Sequence, residues 1–444
     1  MNFIRRFLNV LPGEFGLVVT LSFLLFGNSF ALEVSDIVST SGFLSQVSVP
    51  NILIVWIIDM SLIIVSAGLQ SLIVDRFNRV QLMRWMSIIL GAAYVGLRLL
   101  FVLGAPGWLN YSLLFLVSDQ SWLFFPLIFW VLANDLFDVA QGKRLFPLLI
   151  AAGFFGQIGG IIVATLAPNV LHSLGLTSVE LLALNAVIYV LIYVLVLFGF
   201  RKTTLKFTPR KSESLLETIT EGWEFVKNVD SFRYMCMGYL GLAVVITVIR
   251  FNFLSFTSQN VAQADFQQFY GLYRLILIIS SILMTSFIAT RLTKAIGLKN
   301  AFLVTPVSLL LITIAALLAP LLLITTGGMI LAWLMYYTID QSTRKTFQGL
   351  VPEERRGRVS MFIDSYVPAS GVILASVLVG AVIIFGQLYS WSSTSVVYLI
   401  IGAIGAIFCI WATIKLRATY DSSLLNPRMK RRQRRSDALD KLKF

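Results

Sequence analysis

Six ionisable side chains stand inside otherwise apolar stretches of this sequence: Glu33, Asp59, Arg98, Asp119, Arg250 and Arg274. A charged group at the centre of a bilayer costs about 2.5–3.5 kcal/mol on insertion scales, so each needs a partner or a task. Carboxylates and guanidinium groups at matched depth can pair and part, which is gate chemistry. A buried carboxylate can also carry a proton. An arginine presents a rigid fork of donors to an anion. Catalytic chemistry has far less to draw on. His172 is the only histidine, Cys236 and Cys409 both sit in apolar runs, and no phosphate-cradling glycine loop occurs. No enzyme, metal or cofactor is expected.

The elements that position these residues follow from composition. Of 444 residues, 57% are hydrophobic and 13% charged, and the mean hydropathy is +0.84. Soluble domains carry about 25% charged residues. The apolar residues fall into runs of about 20, the length of helix that crosses about 30 Å of hydrocarbon. Twelve spans are predicted, near 14–38, 50–74, 80–104, 108–134, 144–169, 178–200, 231–258, 264–290, 297–318, 325–345, 357–385 and 393–415. The fold class is an all-α polytopic membrane protein.

Basic residues occupy every even-numbered loop, beginning with Arg76, Arg79 and Arg84, then Lys143 and Arg144, and none of the odd-numbered loops. By the positive-inside rule both termini are cytoplasmic, and a multi-pass protein of the bacterial inner membrane is expected. The Arg5–Arg6 start is read as the flank of an uncleaved first span. The net charge of +13 then reflects one membrane face, and no nucleic-acid partner is expected. The basic run "RMKRRQRR" (428–435) is expected to meet anionic lipid headgroups.

Four segments are expected: a six-helix half over 1–200, a cytoplasmic amphipathic linker over 201–230, a second six-helix half over 231–415 and a basic tail over 416–444. Within the linker, Leu215, Leu216, Ile219, Trp223 and Val226 share one helical face. The halves echo each other, with an acid near a helix end, a polar turn and a basic pair following spans 4 and 10. The latch candidates are Asp75, Arg76, Asn134, Asp135, Asp138, Lys143 and Arg144 in the first half and Asp340, Arg344, Arg358 and Asp364 in the second. Small residues that allow close helix approach include Gly153, Gly156 and Gly160 on span 5 and Gly371 and Gly380 on span 11.

Three stretches carry a resemblance. "VDRFNRV" (74–80) resembles the cytoplasmic D-R-x-G-R turn of the major facilitator superfamily, with Asn78 where glycine is usual. "FWVLANDLFDVAQGKRLFPLLIAAG" (129–153) and "PEERRGRVSMFIDSYVPASGV" (352–372) resemble the ADP/ATP-antiporter-like, or nucleotide-transporter-like, branch. That resemblance implies two pseudo-symmetric six-helix halves that rock about a central solute site. Where nucleotide carriers have a lysine-bearing polar segment in span 1, this chain reads "FALEVSDIV" (30–38).

Depth counting at about 1.5 Å per residue, with span 1 taken as the pseudo-equivalent of span 7 and span 2 of span 8 as that architecture implies, matches Glu33 with Arg250 and Asp59 with Arg274. Arg98 has Glu33 or Asp119 as nearer alternatives. On the cytoplasmic side, Asp135 or Asp138 is expected within salt-bridge reach of a cytoplasmic arginine or lysine, most simply Arg144, and Asp340 or Asp364 near Arg344 or Arg358. The function expected is a monomeric secondary transporter of a small solute, with organic anions and nucleotide-like compounds as candidates held by Arg250 or Arg274. The alternative is a membrane scaffold or sensor that keeps the fold without transport.

Overall fold

The computed structural model describes residues 10–11, 13–74, 77–201, 215–391 and 393–440. Twelve helices among them are long and apolar enough to cross a membrane. They are spans 1 (Phe15–Gln46), 2 (Val49–Gly68), 3 (Arg79–Val102), 4 (Gly107–Leu136), 5 (Ala140–Ser173), 6 (Ser178–Gly199), 7 (Asp230–Asn260), 8 (Gln263–Ala289), 9 (Leu298–Leu318), 10 (Leu322–Gln348), 11 (Arg355–Leu388) and 12 (Thr394–Thr419). A linker helix covers Leu215–Asn228.

Span 1 runs eight residues beyond its expected end at 38. The extension, STSGFLSQ, is polar, yet its serine hydroxyls return to the helix's own carbonyls. Ser39 donates to Asp36, Ser41 to Ile37 and Ser45 to Gly42. Serine in this role satisfies itself and leaves the helix free to continue. Span 5 starts earlier than expected because Asp138 caps it. The Asp138 carboxylate accepts from Gln141 N–H at 2.8 Å, and the Gln141 side chain accepts from the Asp138 N–H at 3.0 Å, a reciprocal capping box.

Among the described residues three stretches are π-helical: Met284–Ala289 in span 8, Tyr336–Asp340 in span 10 and Phe362–Tyr366 in span 11. A π turn inserts one residue into the helical register and re-aims the side chains that follow.

The chain forms two compact units. The first comprises residues 1–55, 69–212 and 257–278, and the second residues 56–68, 213–256 and 279–444. Most of span 2 therefore belongs with the later spans, and the first part of span 8 with the earlier ones. In the first unit, span 1 packs most extensively on span 5. A methyl group at Gly156 would overlap the Phe26 carbonyl, and one at Gly160 the Phe30 carbonyl. Gly153 lies against Leu25 and Ser29. In the second unit, Gly371 of span 11 faces the Leu240 carbonyl and Ala243 of span 7, and Gly380 lies further along span 11.

Candidate functional site

Span 1 places Glu33 and Asp36 three residues apart, on one helical face. The first part of span 8 brings Arg274 to them within the first unit. Arg274 Nη2 donates to both Glu33 carboxylate oxygens at 2.8 and 2.7 Å, and Nε donates to Oε2 at 3.1 Å. Asp36 is held more loosely. Its Oδ2 lies 3.4 Å from Arg274 Nε and accepts from the Tyr270 hydroxyl at 3.3 Å. The Glu33 side chain is 5% exposed, and those of Arg274 and Asp36 about a fifth. A charge-assisted fork of this kind is among the stronger hydrogen-bonded arrangements. It also offsets the desolvation that either ion would suffer alone.

Span 8 is seated here by its neighbours. Gln267 donates to the Ala164 carbonyl at 2.7 Å, and Gln268 to the Asn169 side chain at 2.6 Å. Gly271 meets Thr165 so closely that any side chain would displace it.

Glu33 thus pairs with Arg274 and not with Arg250. The reason is the true end of span 1. From Gln46, Glu33 is 13 residues back, about 20 Å along the axis. Arg274 is 11 residues from the start of span 8 at Gln263, about 17 Å. The expected pairing with Arg250 rests on a span 1 ending near 38 and on span 1 as the counterpart of span 7. Arg250 instead stacks on Trp56, with its guanidinium carbon 4.8 Å from the ring centroid. Both lie in the second unit, which also holds the fully buried Asp59, one turn from Trp56. Asp59 is therefore placed with Trp56 and Arg250 in a different unit from Arg274.

Arg98 takes neither Glu33 nor Asp119. Its Nε and Nη2 donate to Glu180 at 3.1 and 2.6 Å. Glu180 lies in the short helical turn that leads into span 6, and was not singled out in the sequence because it sits at a span end. Asp119 is half-buried on span 4.

At the other helix ends of the first unit, Arg144 binds Glu14 at 2.7 and 2.8 Å, with Gln141 donating to the same carboxylate at 2.9 Å. Burial alone would raise the Glu14 pKa. The Leu11 N–H, the Arg144 and Gln141 side chains and the Arg144 charge outweigh it and hold the carboxyl below its ordinary range. Asp135 faces Arg79, one of the arginines of the second loop, at 3.4 Å, and Arg144, the simplest of the expected partners, is taken by Glu14. Asp138 is spent on the cap, Asn134 donates to the Trp130 carbonyl, and Lys143 is exposed. Asp75 and Arg76 lie outside the described residues. Asn78 caps span 3 by accepting from the Val80 N–H at 2.9 Å.

In the second unit the π-helical stretch of span 10 ends on Asp340, and Arg344 follows one turn later. Arg344 Nη1 donates to Asp340 at 2.6 Å. Both are buried. The guanidinium lies against the Tyr239 ring, 3.4 Å from its centroid, with Tyr336 at 5.7 Å. The Tyr239 and Tyr336 hydroxyls are 3.0 Å apart. A cavity of about 20 Å³ lies beside Asp340, Arg344, Cys409 and Thr413, room for about one water. Asp364 pairs with Lys345 and accepts from Gln348 at 2.9 Å. Arg358 binds Glu221 of the linker helix at 2.7 Å. Asp364 therefore meets neither Arg344 nor Arg358. Each of these latch contacts lies within one compact unit.

No protein-family profile and no curated protein matches the sequence. Solved structures do resemble the chain in shape. The nucleoside transporter NupG matches with a TM-score of 0.63 at 16% identity, over 91% of this chain and 99% of that one. A bacterial homologue of the iron transporter ferroportin, in its inward-facing state, matches at 0.66 and 15% identity, over 92% and 99%. The POT family transporter PepTSo matches at 0.63 and 13% identity, over 92% and 98%. With twelve membrane-length helices and these likenesses in shape, the chain has the major facilitator fold.

Proposed function

We propose that this protein is a secondary transporter that moves a small solute across the inner membrane by rocker-switch alternating access. The observation that carries the reading is the Glu33–Arg274 fork. It joins a buried carboxylate on span 1 to an arginine on span 8, two helices from opposite halves of the sequence. A contact that must form and break between spans 1 and 8 is served by such a pair, because its strength depends on geometry. A fold shared with nucleoside, iron and POT family transporters supports the same reading.

The solute we favour is a small organic anion, nucleotide-like compounds included. Its anionic group would replace Glu33 on the Arg274 fork once the pair separates. The resemblance at 129–153 and 352–372 to the ADP/ATP-antiporter-like branch supports this class. In this reading the basic loops and both termini face the cytoplasm, and the protein works as a monomer with its basic tail near anionic headgroups.

The test is uptake into proteoliposomes of purified protein across a panel of nucleosides, nucleotides and small carboxylates. Flux of at least one anionic member, lost in Arg274→Ala, is expected. Folded protein with no flux and no thermal stabilisation by any member would point to a non-transporting scaffold.

A further inference from the structure

Spans 7 and 12 of the second unit cross closely. Gly238 lies against Ala412 and Thr413, Gly241 against Phe408 and Gly402 against Val248. The Cys409 thiol donates to the Gly238 carbonyl at 3.0 Å across the same seam. These contacts run antiparallel, so the first turns of span 7 meet the last turns of span 12.

At that meeting stands a rim of rings and cations. The Arg233 guanidinium carbon lies 5.3 Å from the Tyr234 ring centroid, and the Tyr234 ring meets Trp411 edge-on at 6.1 Å. Lys415 follows Trp411 by one turn, on the same helical face. Trp411, Lys415 and Arg417 are exposed, and so is nearly half of the Arg233 side chain. Arg233 meets Asp230 at 2.9 Å, whereas no ion pair joins Lys415 or Arg417 among the described residues. The rim thus carries more positive charge than its one acid balances. On the other side of Trp411 the same face of span 12 continues through Ile407, Ile404 and Ile400, all exposed. Aliphatic side chains that give way to an indole and then to an ammonium group follow the passage from hydrocarbon to headgroups.

A second observation lies behind the rings. Tyr234 and Leu416 line the cavity beside Asp340 and Arg344. Tyr234 therefore touches the cavity on one side and the exposed Trp411 on the other. The Arg344 side chain is 3% exposed, and its Nε–H has no acceptor among the described residues. A buried donor of this kind favours an oxygen ligand nearby. The cavity admits about one water and is too small for a headgroup, so such a ligand stays at the rim.

From these features we propose that the rim of spans 7 and 12 binds one anionic phospholipid from the leaflet at this end of the spans. Its phosphate lies between Arg233 and Lys415, and a bridging water in the cavity carries the contact inward to Arg344. The Trp411 and Tyr234 rings take the glycerol and the first methylenes, and an acyl chain follows the isoleucine stripe. The lipid ties together two helices that otherwise meet through small residues, and so braces the seam on which the Arg344–Asp340 pair is packed. The site is separate from the basic run at 428–435, and it stands whether or not the chain moves a solute.

The experiment is native mass spectrometry of the full chain, delipidated in detergent and titrated with dioleoylphosphatidylglycerol or dioleoylphosphatidylcholine. The first phosphatidylglycerol should bind more tightly than phosphatidylcholine. Arg233→Gln with Lys415→Gln should weaken it by about 20-fold, taking about fivefold for each basic residue at a membrane surface. Lys415→Arg should keep it, and Trp411→Leu, which removes the indole N–H and ring, should weaken it. Arg431→Gln with Arg432→Gln removes the same charge from the basic run and should leave the first lipid in place. Phosphatidylglycerol should also raise the thermal midpoint of wild type more than that of the Arg233 and Lys415 double variant. Should that double variant fail to fold, Lys415→Gln alone carries the test through its fivefold loss. Equal binding by wild type and the rim variants overturns the proposal. So does loss of the lipid in the Arg431 and Arg432 variant with the rim intact, which assigns it to the tail. Displacement of the lipid by inorganic phosphate at equal concentration overturns the choice of a lipid over a free anion.

Discussion

The guanidinium of Arg344 lies over the Tyr239 ring, its central carbon 3.4 Å from the ring centroid. It does so while donating to Asp340 at 2.6 Å. The ion pair is therefore packed between an aromatic face and a small cavity, away from water. Removing one ion from a buried pair costs about 3–5 kcal/mol, because the other is left uncompensated. Arg344→Ala and Asp340→Ala should each lower the thermal midpoint of detergent-solubilised protein substantially. The double variant should lose less than the sum of the two. Additive losses would show that the pair does not act as a unit.

Gly156 and Gly160 differ from Gly159, although all three lie within one turn and a half of span 5. The first two meet backbone carbonyls of span 1, whereas a methyl at Gly159 would sit 3.4 Å from the Phe30 ring. Gly156→Leu and Gly160→Leu should each destabilise by about 1–3 kcal/mol or more, the range for forced overpacking. Gly159→Ala should be near neutral. Thermal unfolding of the three variants separates them, and equal effects would contradict the tight crossing of spans 1 and 5.

Glu14 has its pKa lowered in the folded protein by hydrogen bonds and the Arg144 charge. A carboxyl of this kind contributes stability above its unfolded pKa, and the contribution is lost as pH falls through the folded value. The affected window is thus below the ordinary value of 4.5. Glu14→Gln should be less stable than wild type at neutral pH, and the gap should close on acidification through that window. A gap independent of pH would assign the loss to packing.

Glu33→Arg combined with Arg274→Glu should recover part of the flux that either single change abolishes, because the swap retains opposite charges on the same two helices. A double-mutant cycle on proteoliposome flux reads the coupling. Neither single variant should recover on its own. Losses that simply add would separate the two residues in function.

The twelve spans were legible because each needs only a long apolar run. The end of span 1 was not. Ser39, Ser41 and Ser45 read as a polar loop until their bonds to their own helix are seen. That boundary, together with the assumed equivalence of spans 1 and 7, gave Glu33 Arg250 as a partner. Glu14, Glu180 and Glu221 were missed because acids at helix ends look like ordinary solvated caps. Asp135 was referred to Arg144 by nearness in sequence, yet Arg79, from another span, reaches it. The π-helical stretches leave no mark in composition.

The compact units trade segments, with 56–68 in one and 257–278 in the other. A gene divided in the linker would therefore yield two polypeptides that are each short of a piece of their own unit. Neither product alone carries both Glu33 and Arg274, or both Trp56 and Arg250. Expressed separately, each fragment would expose the faces that its missing helix segment covers. Expressed together, they would have to find one another in the bilayer before either was complete. The covalent linker spares the chain that search, and its role is as much in assembly as in motion.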